Sequence, residues 1–483
     1  MNIFDLLQLV ANNIWLYGIP FLLVLTLLVF VHEWGHYIVA RMCGVKIQVF
    51  SIGFGKEIFG FTDKAGTRWK FAMVPLGGYV KMFGDTDPAS AGHSEEIKEE
   101  EDIPARPMSE EEKKNAFFAK PLWQRAAIVF GGPAVNFLFA IFLFIGLYYT
   151  LGKPVTPPVA TAVIEGSAAE KAGFQPHDKI ISINGNQVNR FDQVRRSVMI
   201  SMDEPLEITV LRDGRKINLK AKPSVLEAED RFGFKHSRGM LGIIGPNNGI
   251  QISNILSVNG ESTDGDVKRT KELLASNFGQ TFHIRLDRAG EGDSLIIQPE
   301  KEFIEYLFKN TKEQLGSAPL TDSMTDTTTA PVSDNKILFI AENKQTQEIV
   351  SFGLLESFVA ASKETWDITK GTLTALGQMF TGTRSATELG GIIRIGAIAG
   401  DMAQAGLIAL ISFTAILSIN LGLINLFPIP MLDGGHLVFY ALEGLKGSPV
   451  SEQIQEYAFR LGLIILVGIM LFANLNDIVQ IIS

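Results

Sequence analysis

Leu6 to His36 reads LLQLVANNIWLYGIPFLLVLTLLVFVHEWGH, an uncharged apolar run that ends on two histidines and a glutamate. The run exceeds the ~20 residues that a helix needs to cross the hydrocarbon layer. It is therefore predicted to span a membrane, and the absence of a basic segment before it argues against a cleaved signal peptide. His32 and His36 stand one helical turn apart on one face, where both imidazoles can grip one metal ion. Glu33 then lies beside the open coordination position, placed to take a proton from water that zinc polarises, which is the chemistry of the HExxH pattern. With seven histidines in 483 residues, and 52 acidic residues as a ceiling for glutamate, chance produces this pattern roughly 0.01 times. Ionisable groups at the end of such a run are costly unless they pair or bind something.

Working outward, Ala126–Gly152 and Met402–Leu432 are also uncharged, and each is long enough to span. A fourth segment, from about Tyr457 to Ala473, is shorter and begins beside Arg460, so it needs tilt or a snorkelling arginine. No Lys or Arg precedes Arg41 or follows Arg460, whereas thirteen fall from Arg41 to Arg125. The excess of positive charge places that stretch in the cytoplasm and both termini outside. A net charge of -9 offers no concentrated basic surface and excludes a nucleic-acid partner. Cys43 is the single cysteine, which excludes an internal disulfide and suits packing near the membrane surface.

Residues 1–44 form the first membrane helix in this reading, with Gly44 as its stop. Residues 45–120 are a cytoplasmic β region and an acidic loop; Val45–Met82 is β-rich and broken by Gly53, Gly55, Gly60, Gly77 and Gly78, as short strands joined by turns are. Open strands survive at membrane depth only under protein cover, so this small sheet must lie against the helices. Residues 121–153 are the second span, where Gly131, Gly132, Pro133 and Asn136 permit close helix approach or bonding across an interface. Residues 154–225 form an α+β module with a turn at Asn184-Gly185. Residues 226–305 repeat part of it, Ile255–Gly260 echoing Ile180–Gly185. Residues 306–350 are a linker, of which 316–335 is too polar to bury a core.

Residues 351–400 are amphipathic: Phe352, Leu355, Val359, Trp366, Leu373, Leu376 and Phe380 make one stripe, suited either to membrane lipid or to the soluble modules. Residues 401–432 are the third span, 433–456 a cytoplasmic loop and 457–476 the fourth span. The fold class is thus a multi-pass α-helical membrane protein of about four spans, with a small membrane-associated β-sheet and inserted α+β domains.

Two histidines need a further ligand. Asp433 is the first charge after the third uncharged block, in NLFPIPMLDGGH (Asn425–His436), where prolines break the helix and glycines let the backbone turn. A carboxylate there can reach the metal; His436 is the rival ligand, and a helix N-cap is the structural alternative for Asp433.

These residues resemble a known family. HEWGH in the first span, Asn425–Asp433 as NxxPxPxLDG, GGYVKM at Gly77–Met82 and GGPxxN at Gly131–Asn136 are together similar to the site-2 proteases, most closely the RseP-type regulators of sigma-E protease, over nearly the whole chain. The resemblance implies a single zinc ion on His32, His36 and Asp433, with Glu33 as catalytic acid/base. It implies Asn425, Pro428 and Pro430 near the substrate, and PDZ-like modules outside the cytoplasm of a bacterial inner membrane. It also implies single-span membrane proteins of the anti-sigma-factor type, and remnant signal peptides, as substrates, and peptide ligands for the PDZ-like modules.

Two departures stand out: Gly390-Gly391-Ile392-Ile393 where the family has Gly-Pro-Ile, and no small-residue helix in the second module. A spanning helix must be unwound before it can be cut, because its carbonyls are already bonded. The strands around Gly53, Gly55, Gly77 and Gly78 offer a sheet edge to receive it by β-augmentation. A non-catalytic adaptor with a structural metal is the rival class, and an open three-ligand set beside a glutamate favours catalysis. A metal transporter, the third class, spreads its ionisable groups over several spans, whereas here they gather at one depth.

Overall fold

The computed structural model describes residues 3–84, 96–97, 106–230, 233–246, 248–263, 265–277, 280–286, 294–298, 336–339 and 348–482. Its helices in chain order are α1 (Ile3–Met42), α2 (Glu110–Lys114), α3 (Leu122–Leu151), α4 (Ala168–Lys171), α5 (Phe191–Ile200), α6 (Val267–Ser276), α7 (Leu354–Thr381), α8 (Ile392–Gln404), α9 (Leu407–Asn425), α10 (Asp433–Lys446) and α11 (Glu452–Ile482). Among the described residues, four helices are long and apolar enough to cross a membrane: Trp15–Met42 of α1, then α3, α9 and Glu452–Ile481 of α11.

Several boundaries differ from the sequence reading. The third uncharged block contains a 19-residue helix, because Pro428 and Pro430 cannot continue it. The segment after it, expected as a loop over 433–456, is largely α10. The fourth span starts earlier than Tyr457, and Arg460 is carried by an ion pair with Glu456 one turn before it, 2.5 Å away. Within 306–350, Lys336–Phe339 and Glu348–Val350 are strands that pair with Asn248–Gln251 and Lys153–Val155. The polar stretch 316–335 and most of the acidic run 94–112 lie outside the described residues.

Small residues bring the spans together at the depth that matters. A methyl on Gly35 would run into the backbone of Gly131 and Gly132, and one on Gly422 would meet the Pro133 carbonyl at 3.0 Å. Without a hydrophobic drive between helices in lipid, such close approach is what holds them.

The β region expected over 45–82 is two long bent strands, β1 (Ile47–Thr62) and β2 (Arg68–Met82), in place of several short ones. Each folds back on itself. Residues 49–52 pair with 68–71 on one side and 78–81 on the other, and 57–62 pair with 68–72. Four rungs result, and the outer rung Gly78–Met82 has no strand on its far side among the described residues. Gly53 and Gly55 sit at φ +94 and +87 where β1 bends, a region open to glycine without penalty. Phe50 stacks on Trp69, centroids 4.4 Å apart, and is fully buried.

The soluble part corrects the boundary drawn at residue 225. Strands of 159–221 form one sheet around α4 and α5, yet Ala162–Ile164 pairs with Ile243–Ile244 and with Ser294–Ile297 in the second, six-stranded sheet. The two units share a strand, so neither closes its core alone. Both keep the predicted turn: Asn184 and Gly185 have φ 48 and 76, Asn259 and Gly260 have φ 47 and 84. Where the first unit has α4, the second has a single 3-10 turn, Ile252–Asn254.

Helix α7 exposes five of the seven stripe residues, while Phe352 packs on Tyr148 and Leu376 is partly buried. Leu355, Val359, Trp366, Leu373 and Phe380 are exposed, and the buried face is Ser357, Ala361, Glu364, Thr365 and Gln378. Among the described residues, nothing from the α+β units covers those five side chains.

Candidate metal centre

Helix geometry alone places His32 over His36, and their rings meet edge to face with centroids 4.8 Å apart. The two Nε2 atoms are 3.2 Å apart. Asp433, the first residue of α10, completes a triangle: its Oδ2 is 3.2 Å from His32 Nε2 and its Oδ1 is 3.5 Å from His36 Nε2. Ligands 2.0–2.1 Å from a tetrahedral zinc lie ~3.3 Å from one another, so these edges fit one ion. The donor chemistry fits too. Asp433 Oδ2 is buried and accepts no hydrogen bond, an expensive arrangement for a carboxylate without a cation.

Each ligand is aimed by its own element. His36 Nδ1 lies 2.9 Å from the Ile128 carbonyl of α3. A carbonyl only accepts, so Nδ1 carries the proton and Nε2 presents its lone pair. His32 Nδ1 lies 3.1 Å from the Asn136 side-chain amide. A methyl on Gly132 would overlap the His36 ring, so glycine admits the imidazole. The loop from Leu426 to Leu432 delivers Asp433 with Met431 at φ 86, a region non-glycine residues enter only when neighbours impose it. Gly434 is packed against the Leu426 and Phe427 carbonyls, and Gly435 against Ile429 and Pro430. Arg125 of α3 then anchors α10 through two bonds to Glu443, 2.6 and 3.2 Å, with its guanidinium 5.1 Å over the Tyr440 ring.

Glu33 is half-buried, in the electrostatic field of His32, His36 and Asp433, and the backbone amide of Val80 reaches its carboxyl. A methyl on Gly78 would stand 3.2 Å from Glu33 Cγ. The outer rung of the sheet thus runs past the glutamate.

Of the residues singled out in the sequence, His32, Glu33, His36 and Asp433 come together, with Gly78 alongside. His436 is not in the metal-competent group; its ring packs on Phe459, centroids 5.0 Å apart. Gly77 backs onto the Phe54 ring, Gly53 is buried against Val74, and Gly55 is exposed at the bend. Asn425 ends α9, Pro428 is exposed, and Pro430 packs on Gly435 and Gly462. Sequence reasoning passed over Val80 and read Asn136 only as an interface residue. A lone amide three residues after a proline in an apolar span was the available signal for Asn136.

Comparison with known proteins agrees with this geometry. The family model for peptidase family M50 matches residues 20–469. The chain is 36% identical over 467 residues to an Agrobacterium fabrum protein named as a zinc metalloprotease, covering 97% of each chain. It is 33% identical over 478 residues to the regulator of sigma-E protease RseP of Escherichia coli, covering 95% of this chain and 97% of that one. Identity to the regulator of sigma E protease of Haemophilus influenzae is 31% over 491 residues, covering 97% and 99%.

Proposed function

The chain belongs to peptidase family M50, an RseP-type zinc metalloprotease of a bacterial inner membrane, and from that premise we propose that it cuts single-span membrane proteins within their spanning segments. The observation that carries this reading is the His32–His36–Asp433 triangle with Glu33 and an unpaired strand edge on its open side.

His32, His36 and Asp433 would hold the ion. When bound, zinc supplies Lewis-acid polarisation of a carbonyl and of water. Glu33 takes the proton from the attacking water and returns it to the leaving nitrogen. The unwound substrate adds as a strand beside Gly78–Met82, which satisfies backbone groups that lipid cannot, and Asn425, Pro428 and Pro430 line its path. Gly53, Gly55 and Gly77 serve the same edge indirectly, by shaping the bends that present it.

Anti-sigma-factor-type proteins and remnant signal peptides are the substrate class. The basic stretch Arg41–Arg125 faces the cytoplasm, so the active site lies towards that side, with both termini and the two α+β units outside. Those units, PDZ-like by the family resemblance, take peptide ligands and exclude substrates that keep a large outer domain. The exposed stripe of α7 lies against lipid.

Cleavage of a model single-span substrate in liposomes, with bound zinc quantified, tests the assignment. Glu33→Gln is expected to keep its zinc and lose at least ~100-fold in rate; a variant that cuts at the wild-type rate removes Glu33 from the mechanism.

A further inference from the structure

The two histidines are not equally determined. His36 has a backbone carbonyl behind it, which fixes its tautomer. His32 has the carboxamide of Asn136, a group that can donate through Nδ2 or accept through Oδ1. With Nδ2 towards His32, as drawn, the imidazole Nδ1 must accept and the proton sits on Nε2, where it faces His36 Nε2 at 3.2 Å and blocks a cation. In the same orientation Asn136 Oδ1 is buried and has no hydrogen-bond partner. A half-turn of the amide, which exchanges two atoms of nearly equal size, puts that oxygen on His32 Nδ1–H and frees Nε2 as a lone pair.

We infer that Asn136 is a positioning residue for the metal centre, whose side-chain oxygen holds His32 in the tautomer that binds zinc through Nε2. The inference rests on the ligand assignment made above. The environment is built for it. Asn136 is fully buried, its backbone carbonyl accepts from Ser418 Oγ at 2.8 Å, and a methyl on Gly422 of α9 would stand 3.2 Å from its Cβ. Helix α9 therefore backs the Asn136 backbone and Cβ while the side-chain tip meets His32. A carboxylate at this place would orient the imidazole as well, but it would add a third negative charge, itself fully buried, beside Asp433 and Glu33. The neutral amide supplies the acceptor without that desolvation cost.

The test is zinc affinity of the purified full chain in detergent, by chelator competition, with the absorption spectrum of the cobalt-substituted protein as a second readout. Asn136→Leu is expected to weaken zinc binding by ~10–100-fold and to alter the cobalt spectrum, while its chromatographic profile stays that of the folded protein. Asn136→Asp, isosteric and accept-only, is expected to retain zinc at least as well as wild type and to release it ~3-fold more slowly. Wild-type affinity in Asn136→Leu overturns the inference. Should Asn136→Leu not fold, a ~10-fold or greater loss of zinc affinity in Asn136→Asp, which keeps the accepting oxygen, overturns it. His32→Ala separates the two layers: if it keeps full affinity, the ligand assignment itself fails, whereas its loss beside an unaffected Asn136→Leu removes only the role of Asn136.

Discussion

At the scale of the residue, the site depends on side chains that are absent as much as on those present. Gly132 faces the His36 ring, and a methyl there would overlap Nε2 and stand 2.9 Å from His32 Cε1. Gly132→Ala is therefore expected to turn one imidazole away and to reduce bound zinc by ~10-fold or more, measured by metal analysis after gel filtration; a fully loaded variant would mean that α3 can back away without cost. His32, Glu33 and His36 were legible because one helical turn relates them, and a local period is visible in any sequence. Gly132 was legible only as a small residue. Its particular neighbour is set by how α1 crosses α3, and no local pattern encodes a crossing.

At the scale of the element, Asp433 reaches the histidines because α10 is held as a rigid piece. Its far end is tied by Arg125 to Glu443, side chains 14% and 15% exposed. Removing one partner of such a pair strands the other, at a cost of about 3 kcal/mol. Arg125→Ala is expected to destabilise by that order and to lower zinc occupancy, and Arg125→Ala with Glu443→Ala to cost less than the sum of the singles; strict additivity in the double-mutant cycle would separate the pair from the site.

The departure from Gly-Pro-Ile finds its reason at this scale too. Ile392 is the first residue of α8, and its N–H donates to Asn474 Oδ1 at 3.1 Å, while Asp477 Oδ2 accepts from Gly391 and Arg394. The donor that proline would delete is thus satisfied from α11. Proline suits a first helical position, so Ile392→Pro is expected to change stability by no more than ~1 kcal/mol. The spans, the module turns and the β-rich stretch were all legible from period and composition. The fold-back of β1 and β2 was not, because a strand's alternation looks the same whether it runs straight or bends, and α10 was missed because Gly434 and Gly435 read as turn residues when they are close-packing ones.

At the scale of the whole molecule, several contacts among the described residues fasten the α+β units to the helices, and two of them involve charged side chains. The strand pair ending near Phe234 reaches the end of α11, where Lys235 N–H donates to Gln480 at 2.9 Å and the Arg394 guanidinium lies 4.9 Å over the Phe234 ring. A second is Glu364 of α7, which bonds Lys153 at 2.7 Å and Arg196 of α5 at 2.6 Å, beside Gln378, whose Nε2 donates to the Ile200 carbonyl. Burial pushes the Glu364 carboxyl up, but the two cations outweigh it and bring its pKa down to about 2 from an ordinary 4.5.

The sign follows from that depression. The pairing contributes fully above the ordinary value of 4.5 and is lost as pH falls from there through about 2. Thermal unfolding of the detergent-purified chain should therefore weaken over that interval. Glu364→Gln should start lower, by roughly 3 kcal/mol at neutral pH because Lys153 loses its partner, and should show a shallower slope in acid. Parallel slopes would assign the acid sensitivity to other carboxylates. If the slope does flatten, the junction of α5 and α7 is a fastening whose strength is set by one charge. If the α+β units act as the proposed substrate filter, that filter must either work with the contact closed or break it, and the cleavage rate of Glu364→Gln on substrates with long and short outer domains distinguishes the two.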